Sequence, residues 1–424
     1  MSQWVIDMKA ELDKLGNAQS REEQSRKKPS IYKLPSLIFD LNTKAYKPEA
    51  VSFGPYHHGD PRLQPMEDHK QRALLLFLKR SPKPLDKIFD SMVKVAQKLK
   101  DSYDSLPPKW KDETETENFV KLMIVDGCFV LEILRASDFE SDYFDDDPIF
   151  GPHGKLYAMP FIKRDMLLLE NQLPMLVLFK LKGIKENRKG DADTLNKQIL
   201  KFHDRGDLSS NMGKCLHILD LYRKSLLCEE ATKSTEQKGS KGPDNATVVR
   251  SATELNEAGI RFRRSESNSL KDISFNQGVL RLPEFVVDDA TESTFLNLIA
   301  FERCHVGVGH DITSFICFMD IIVDHDRDIG LLCSKRIIQN LVGNDKVAAD
   351  LFNAMSKDLM MDPSSHLNMV HESILSYCTE PRHKWRAALK HTYFRNPWAI
   401  ISVVAAIILF GLATLSTVYD VIGK

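Results

Sequence analysis

Residues 396–419 run for 24 positions without a charge. No other stretch constrains the fold as strongly. As an α-helix the run would extend about 36 Å, enough to cross a hydrocarbon core of roughly 30 Å with some tilt. Trp398 and Tyr419 stand near its two ends, where amphipathic rings prefer a membrane interface. Arg382, Lys384, Arg386, Lys390 and Arg395 precede it, whereas beyond it Lys424 is offset by Asp420. That asymmetry predicts a single-pass, tail-anchored helix over 396–419, a basic juxtamembrane segment over 379–395 on the cytosolic side, and a short tail over 420–424. Arg386, Lys390, Arg395, Trp398 and Tyr419 are then the expected membrane-interface residues, and the lipid bilayer an expected partner. A buried core helix is the competing reading, although such helices are usually shorter.

The remainder reads as globular. With 58 Lys+Arg against 59 Asp+Glu among 424 residues, the chain lacks the basic excess expected of a nucleic-acid binder. Charged residues at 28% and hydrophobic residues at 42% argue against a wholly disordered chain. No apolar core follows a basic start in the first residues, so no secretory signal is expected. Trp4, Met8, Leu12 and Leu15 instead share one helical face, which predicts an amphipathic helix and polar lead over 1–30. Seven scattered cysteines suit reduced thiols in a cytosolic body better than a disulfide framework. The Asn245-Ala-Thr247 sequon would matter only if the body lay outside.

Helical periodicity dominates 31–228 and 248–378, the two expected parts of a helical body. Ile88, Met92, Ala96 and Leu99 mark one stripe, and 119–134 is apolar nearly all round, as in a central buried helix. The apolar run 166–181 should end or kink at Pro174. A run at 295–301 is expected to open from a cap at Asp289 or Thr291, and another spans 312–323. Ser251-Ala-Thr-Glu254 has capping-box spacing. Two alternating segments, 273–275 and 279–282, flank Asn276-Gln-Gly278 and predict a small hairpin. Between the two parts, 229–247 holds no large apolar residue and reads as a disordered linker. An acidic stretch over 138–147 reads as a solvated loop, because the order of EF-hand ligands is missing. The expected fold is therefore a mainly all-α body with a minor β-hairpin, plus one C-terminal transmembrane helix.

The densest polar cluster is His57, His58, Asp60, Glu67 and His69, residue types able to serve as acid–base groups or metal ligands. No HExxH or Cys/His zinc array accompanies them, and the plainer reading is a turn bounded by Gly54, Pro55 and Gly59. Arg164, Asp165, Glu170, Asn171 and Gln172 interrupt an apolar run before Pro174. If buried they need partners, and a structural hydrogen-bond network that fixes the Pro174 break is expected ahead of catalysis. Cys128 follows Asp126-Gly127 but precedes Phe129-Val-Leu131, which places it in the core. His305-Val-Gly-Val-Gly-His310-Asp311 lacks dinucleotide and P-loop spacing and reads as a loop whose Asp311 caps the next helix. No catalytic, cofactor or metal set is assigned from the residues.

Several of these stretches together resemble a plant family known as domain of unknown function 247. They include Ile31-Tyr-Lys-Leu-Pro35, Tyr46-Lys-Pro48, Val51-Ser-Phe-Gly-Pro-Tyr-His-His-Gly59, Met66-Glu67 and Lys70. Met123-Ile-Val-Asp-Gly-Cys-Phe129, residues 165–174, Ser251-Ala-Thr-Glu-Leu255 and Asn297-Leu-Ile-Ala-Phe-Glu302 continue the likeness, and Asn396-Pro-Trp398 closes it. Leu296 departs from it, standing where a basic residue is expected. The resemblance implies a plant, membrane-associated, mainly helical protein with no established catalytic activity, and through some members a part in self/non-self recognition in grass pollen. Residues and resemblance together predict a membrane-anchored, non-enzymatic interaction, recognition or signalling protein with a protein partner. A membrane-tethered hydrolase or metal-assisted enzyme using His57, His58, Asp60 and Glu67 is the first alternative. A helical scaffold that oligomerises at a membrane is the second.

Overall fold

The computed structural model describes residues 2–16, 29–138, 143–185, 192–206, 212–228, 251–379 and 397–422. The chain divides into two compact units that are not consecutive: Met1–Glu230 with Ala290–Ile312, and Ala231–Asp289 with Thr313–Lys424. Helices of seven or more residues are labelled below in chain order.

The first unit contains α1 (Gln3–Gly16), α2 (Gln64–Arg80), α3 (Leu85–Val93), α4 (Thr116–Asp138), α5 (Met159–Asp165), α6 (Met175–Lys185), α7 (Ala192–Phe202), α8 (Ile218–Leu227) and α9 (Thr291–Cys304). Helix α4 is its centre, with α2, α3 and α6 packed against it. Phe119, Met123, Cys128, Phe129 and Ile133 are all fully buried, as the apolar pattern requires. Gly127 sets the spacing to α6, since a Cβ there would lie 2.5 Å from Leu181 Cδ1. The run 166–181 is helical only after Pro174: α5 already ends at Asp165, a 3-10 turn covers Leu169–Asn171, and α6 begins directly after the proline, so the helix expected ahead of Pro174 is absent. Helix α9 opens from Ala290 with no side-chain cap, so neither Asp289 nor Thr291 takes the N-cap place.

The second unit holds most of α10 (Asp311–Ile322), whose first two residues belong to the first, then α11 (Asp326–Ser334), α12 (Asp345–Met355), α13 (His366–Thr379) and α14 (Pro397–Ile422). The hairpin is present. With β1 being Arg261–Arg264, strands β2 (Ser274–Asn276) and β3 (Val279–Leu282) pair antiparallel. They join through Gln277 at φ 47° and Gly278 at φ 74°, the left-handed pair a type I′ turn needs. Strand β1 adds in parallel to β3, and β4 (Phe285–Val287) pairs in parallel with β5 (Ile338–Asn340). Neither parallel pair was predicted, because parallel partners are not joined by a tight turn and so leave no local signal of the kind Asn276-Gln-Gly278 supplies for the hairpin. Phe285 contacts Phe315 and Phe352 in the core of this unit. The capping box at Ser251 is replaced by a distant carboxylate: Thr253 N–H donates to Asp328 at 2.7 Å, and Asp328 also accepts from His325 N–H at 3.0 Å.

The C-terminal expectation needs correction. Residues 397–422 are helical, but among the described residues no helix is long and apolar enough to cross a membrane. Transmembrane status is therefore not assigned to α14. Arg386, Lys390 and Arg395 lie outside the described residues, as do the side chains of Trp398 and Tyr419. The linker 229–247 and residues 139–142 of the acidic stretch also lie outside them. All seven cysteines are free thiols.

Candidate functional site

Residues 49–54, which lead into the motif over 51–59, fold as an extended strap in the first unit. Val51 and Phe53 are buried, so the backbone amides beside them need acceptors. Among the described residues no strand pairs with this segment to supply them. Side chains from three distant positions do so. Asp165, at the end of α5, accepts from Glu49 N–H at 3.0 Å, Ala50 N–H at 2.7 Å and Val51 N–H at 3.0 Å. Asn171 accepts from Phe53 N–H at 2.6 Å and donates to Val51 O and Asp165 O at 3.0 Å each. Asp126 on α4 accepts from Gly54 N–H at 2.8 Å. Gly54 has φ +72°, and a Cβ there would lie 2.8 Å from the Tyr103 hydroxyl and 2.9 Å from Gln172 O, so only glycine fits this point.

Lys70 locks the strap from the α2 side. Its ammonium is fully buried, 2.6 Å from Ser52 O, 2.7 Å from Glu67 and 2.8 Å from Asp126. Burial works against the charge, but the Asp126 and Glu67 carboxylates outweigh it and raise the Lys70 pKa. Burial also lifts Asp165 to about 6, against the three strap amides and Arg164, which pull it down. Gln172 donates to Met166 O and Leu168 O at 2.7 Å each and accepts from Leu219 N–H. Asn297 on α9 accepts from Leu169 N–H at 2.8 Å and donates to Ala45 O at 2.9 Å. The polar residues before Pro174 are thus a satisfied structural network, as expected from the sequence. Their chief partner, the strap, lies more than a hundred residues away and could not be named from it.

The five candidate residues do not converge. His57 lies 3.4 Å from Glu170, and burial lowers its pKa to about 4. Asp60 caps the turn Pro61–Leu63 through Arg62 N–H and pairs with the Arg62 guanidinium at 2.6 Å. That guanidinium hydrogen bond holds its carboxyl at about 2. Glu67 serves Lys70, while the His58 ring meets Trp110 edge-on. His69 stands on α2, its pKa lowered by burial. Among the described residues, no three His, Cys, Asp or Glu groups are placed to hold a metal ion.

His58 and Glu67 do share a concavity, with different neighbours. They line a polar pocket of about 350 Å³ with Gln71, Lys109, Trp110, Asn118 and Lys121. Beside it lies an apolar pocket of about 550 Å³. Leu74 of α2 and Leu85 and Phe89 of α3 form its walls, Ile124 and Val125 of α4 its floor, and Asp86, Asp90 and Glu117 its charged edge. The two pockets have Asn118, Lys121 and Val125 in common and form one groove over the N-terminal half of α4. Leu85 is 45% exposed. Sequence reasoning singled out the buried Ile88–Met92 stripe of α3 and passed over this face. A second pair at i, i+4, Leu85 and Phe89, was the available signal.

Comparison with known proteins agrees with the resemblance. The family DUF247, described as "Plant protein of unknown function", matches residues 31–412. UPF0481 protein At3g47200 of Arabidopsis thaliana is 30% identical over 95% of this chain and 88% of its own length. Putative UPF0481 protein At3g02645 of the same plant is 22% identical over 98% and 94%. No solved structure matches the chain. The sequence motifs now located on the strap and its clamps, together with a match over nearly the whole chain, place this protein in the DUF247 family of plant proteins.

Proposed function

We propose that this chain is a non-enzymatic interaction protein that recognises a protein partner through the α2–α3–α4 groove. The groove carries the reading: it presents the exposed Leu85 and the half-buried Leu74 and Phe89 inside a charged edge, the composition of a recognition surface. The distribution of polar groups supports it. Asp126, Asp165 and Asn171 are spent on the strap, and His57, Asp60 and Glu67 each serve a local contact. The alternative of a hydrolase on His57, His58, Asp60 and Glu67 is less supported: only His58 and Glu67 share a pocket, and His57 and Asp60 are turned to Glu170 and Arg62.

Proximity labelling in plant cells tests the proposal, comparing the intact protein with a Leu85→Glu variant of unchanged fold by circular dichroism. Loss of a defined set of labelled proteins with the variant is expected. An unchanged set would contradict the reading.

A further inference from the structure

The charge layout of the groove narrows the partner. At the apolar end three carboxylates, Asp86, Asp90 and Glu117, stand against the single ammonium of Lys121. At the polar end the ammonium groups of Lys109 and Lys121 stand with one carboxylate, Glu67, which is itself paired with Lys70 at 2.7 Å. Lys109 lies over the Trp110 ring at 4.8 Å. The groove is thus acidic beside its apolar trough and basic beyond it. From Glu117 to Val125 the floor covers about 12 Å of α4, or two turns. Three helices border it, α2 and α3 as walls and α4 as floor, and this is the geometry into which a fourth helix packs by ridges and grooves.

We infer that the groove receives one amphipathic helix of a partner protein, with apolar side chains at i, i+3 or i+4 and i+7 in the Leu74–Leu85–Phe89 trough. A Lys or Arg of that helix meets Asp86, Asp90 and Glu117, and a carboxylate meets Lys109 and Lys121. Apolar anchors supply the affinity, and the opposed charges fix direction and exclude helices of reversed polarity. The rim charges are exposed, so they act chiefly on specificity and association rate, and their effect declines with salt. The inference rests on the groove reading proposed above and adds the class and polarity of the partner segment.

The test is a selection from a displayed library of helical 16-residue peptides against the full chain, counter-selected on a Leu85→Glu variant. Selected peptides are expected to carry apolar residues at helical spacing with a basic residue beside them. In fluorescence anisotropy they should lose about tenfold in affinity to an Asp86→Lys/Asp90→Lys double variant. Exchange of the peptide's basic residue for Glu should restore binding to that variant. Both variant residues are exposed and serve no clamp, so the variant should fold. Winners without helical spacing, winners indifferent to the charge reversal, or a groove filled by dodecanoate while no peptide binds would each overturn the inference. If peptides fail but Leu85→Glu still removes labelled partners in cells, the groove reading stands without the helix. If both fail, both fall.

Discussion

The strap and the groove lie in the same unit and use their polar residues in opposite ways. In the strap, Asp165, Asn171, Asp126 and Lys70 point inward, and each meets backbone amides, a carbonyl or an opposite charge. In the groove, Asp86, Asp90 and Lys121 point outward around apolar walls. Burial makes the first set costly to disturb, because an orphaned buried group loses its full solvation. Solvent makes the second set cheap to change and open to a partner. The contrast shows how a conspicuous polar motif can mark the frame of a protein while a plain amphipathic face is left open to solvent, the face proposed above for recognition.

The contrast is broken most severely at Asp165. Asp165→Ala should cost the full chain roughly 3–4 kcal/mol in urea unfolding, since three strap amides and Arg164 lose their acceptor. A loss below about 1 kcal/mol would mean that water satisfies the strap. Lys70→Met comes next, at roughly 3 kcal/mol, because it leaves Asp126 buried and unpaired. Adding Asp126→Asn should recover part of that loss, a sign that a double-mutant cycle reads directly.

Acid provides a milder probe. His217 accepts Asp220 N–H at Nδ1 and reaches Ser30 O through Nε2 at 2.9 Å, so the neutral form is the one that fits. Burial lowers His217 to about 4 and His203 to about 3. An unfolded histidine takes its proton near 6.5. The stability these two rings contribute is therefore complete above pH about 6.5 and declines as pH falls toward 4, by on the order of 1 kcal/mol per pH unit for each. Replacing His217 with Gln should flatten the decline, and an unchanged slope would remove the assignment. The smallest effect belongs to the groove, where Asp86→Lys/Asp90→Lys should shift stability by less than about 0.5 kcal/mol.

What could be read in advance follows from range. The central helix α4, the helix boundary at Pro174 and the turn at Gln277-Gly278 are local patterns, and each stands where the sequence places it. The polar residues before Pro174 were readable as a network because charges in an apolar run need partners. Which partners they take depends on chain crossings such as Leu169 N–H to Asn297, 128 residues apart. The Ser251 cap failed for the same reason, because Asp328 arrives from 75 residues away to bond Thr253 N–H. The histidines misled as a cluster because adjacent side chains diverge: His57 turns to Glu170 and His58 to Trp110. The groove was legible only in part: Leu85 and Phe89 at i, i+4 mark a second apolar face on α3, but the walls and floor that α2 and α4 add depend on tertiary packing.

Amide hydrogen exchange at Ala50, Val51, Phe53 and Gly54 of the full chain tests the central claim most directly. Side-chain clamps as complete as those described should make these amides exchange only with global unfolding of their unit, as slowly as the α4 core. In Asp165→Asn, protection should fall first at Ala50 and Val51 and persist at Gly54, which Asp126 holds. Exchange of all four at the rate of a solvated loop would show that the strap is not clamped, and would contradict the structural role given to the motif.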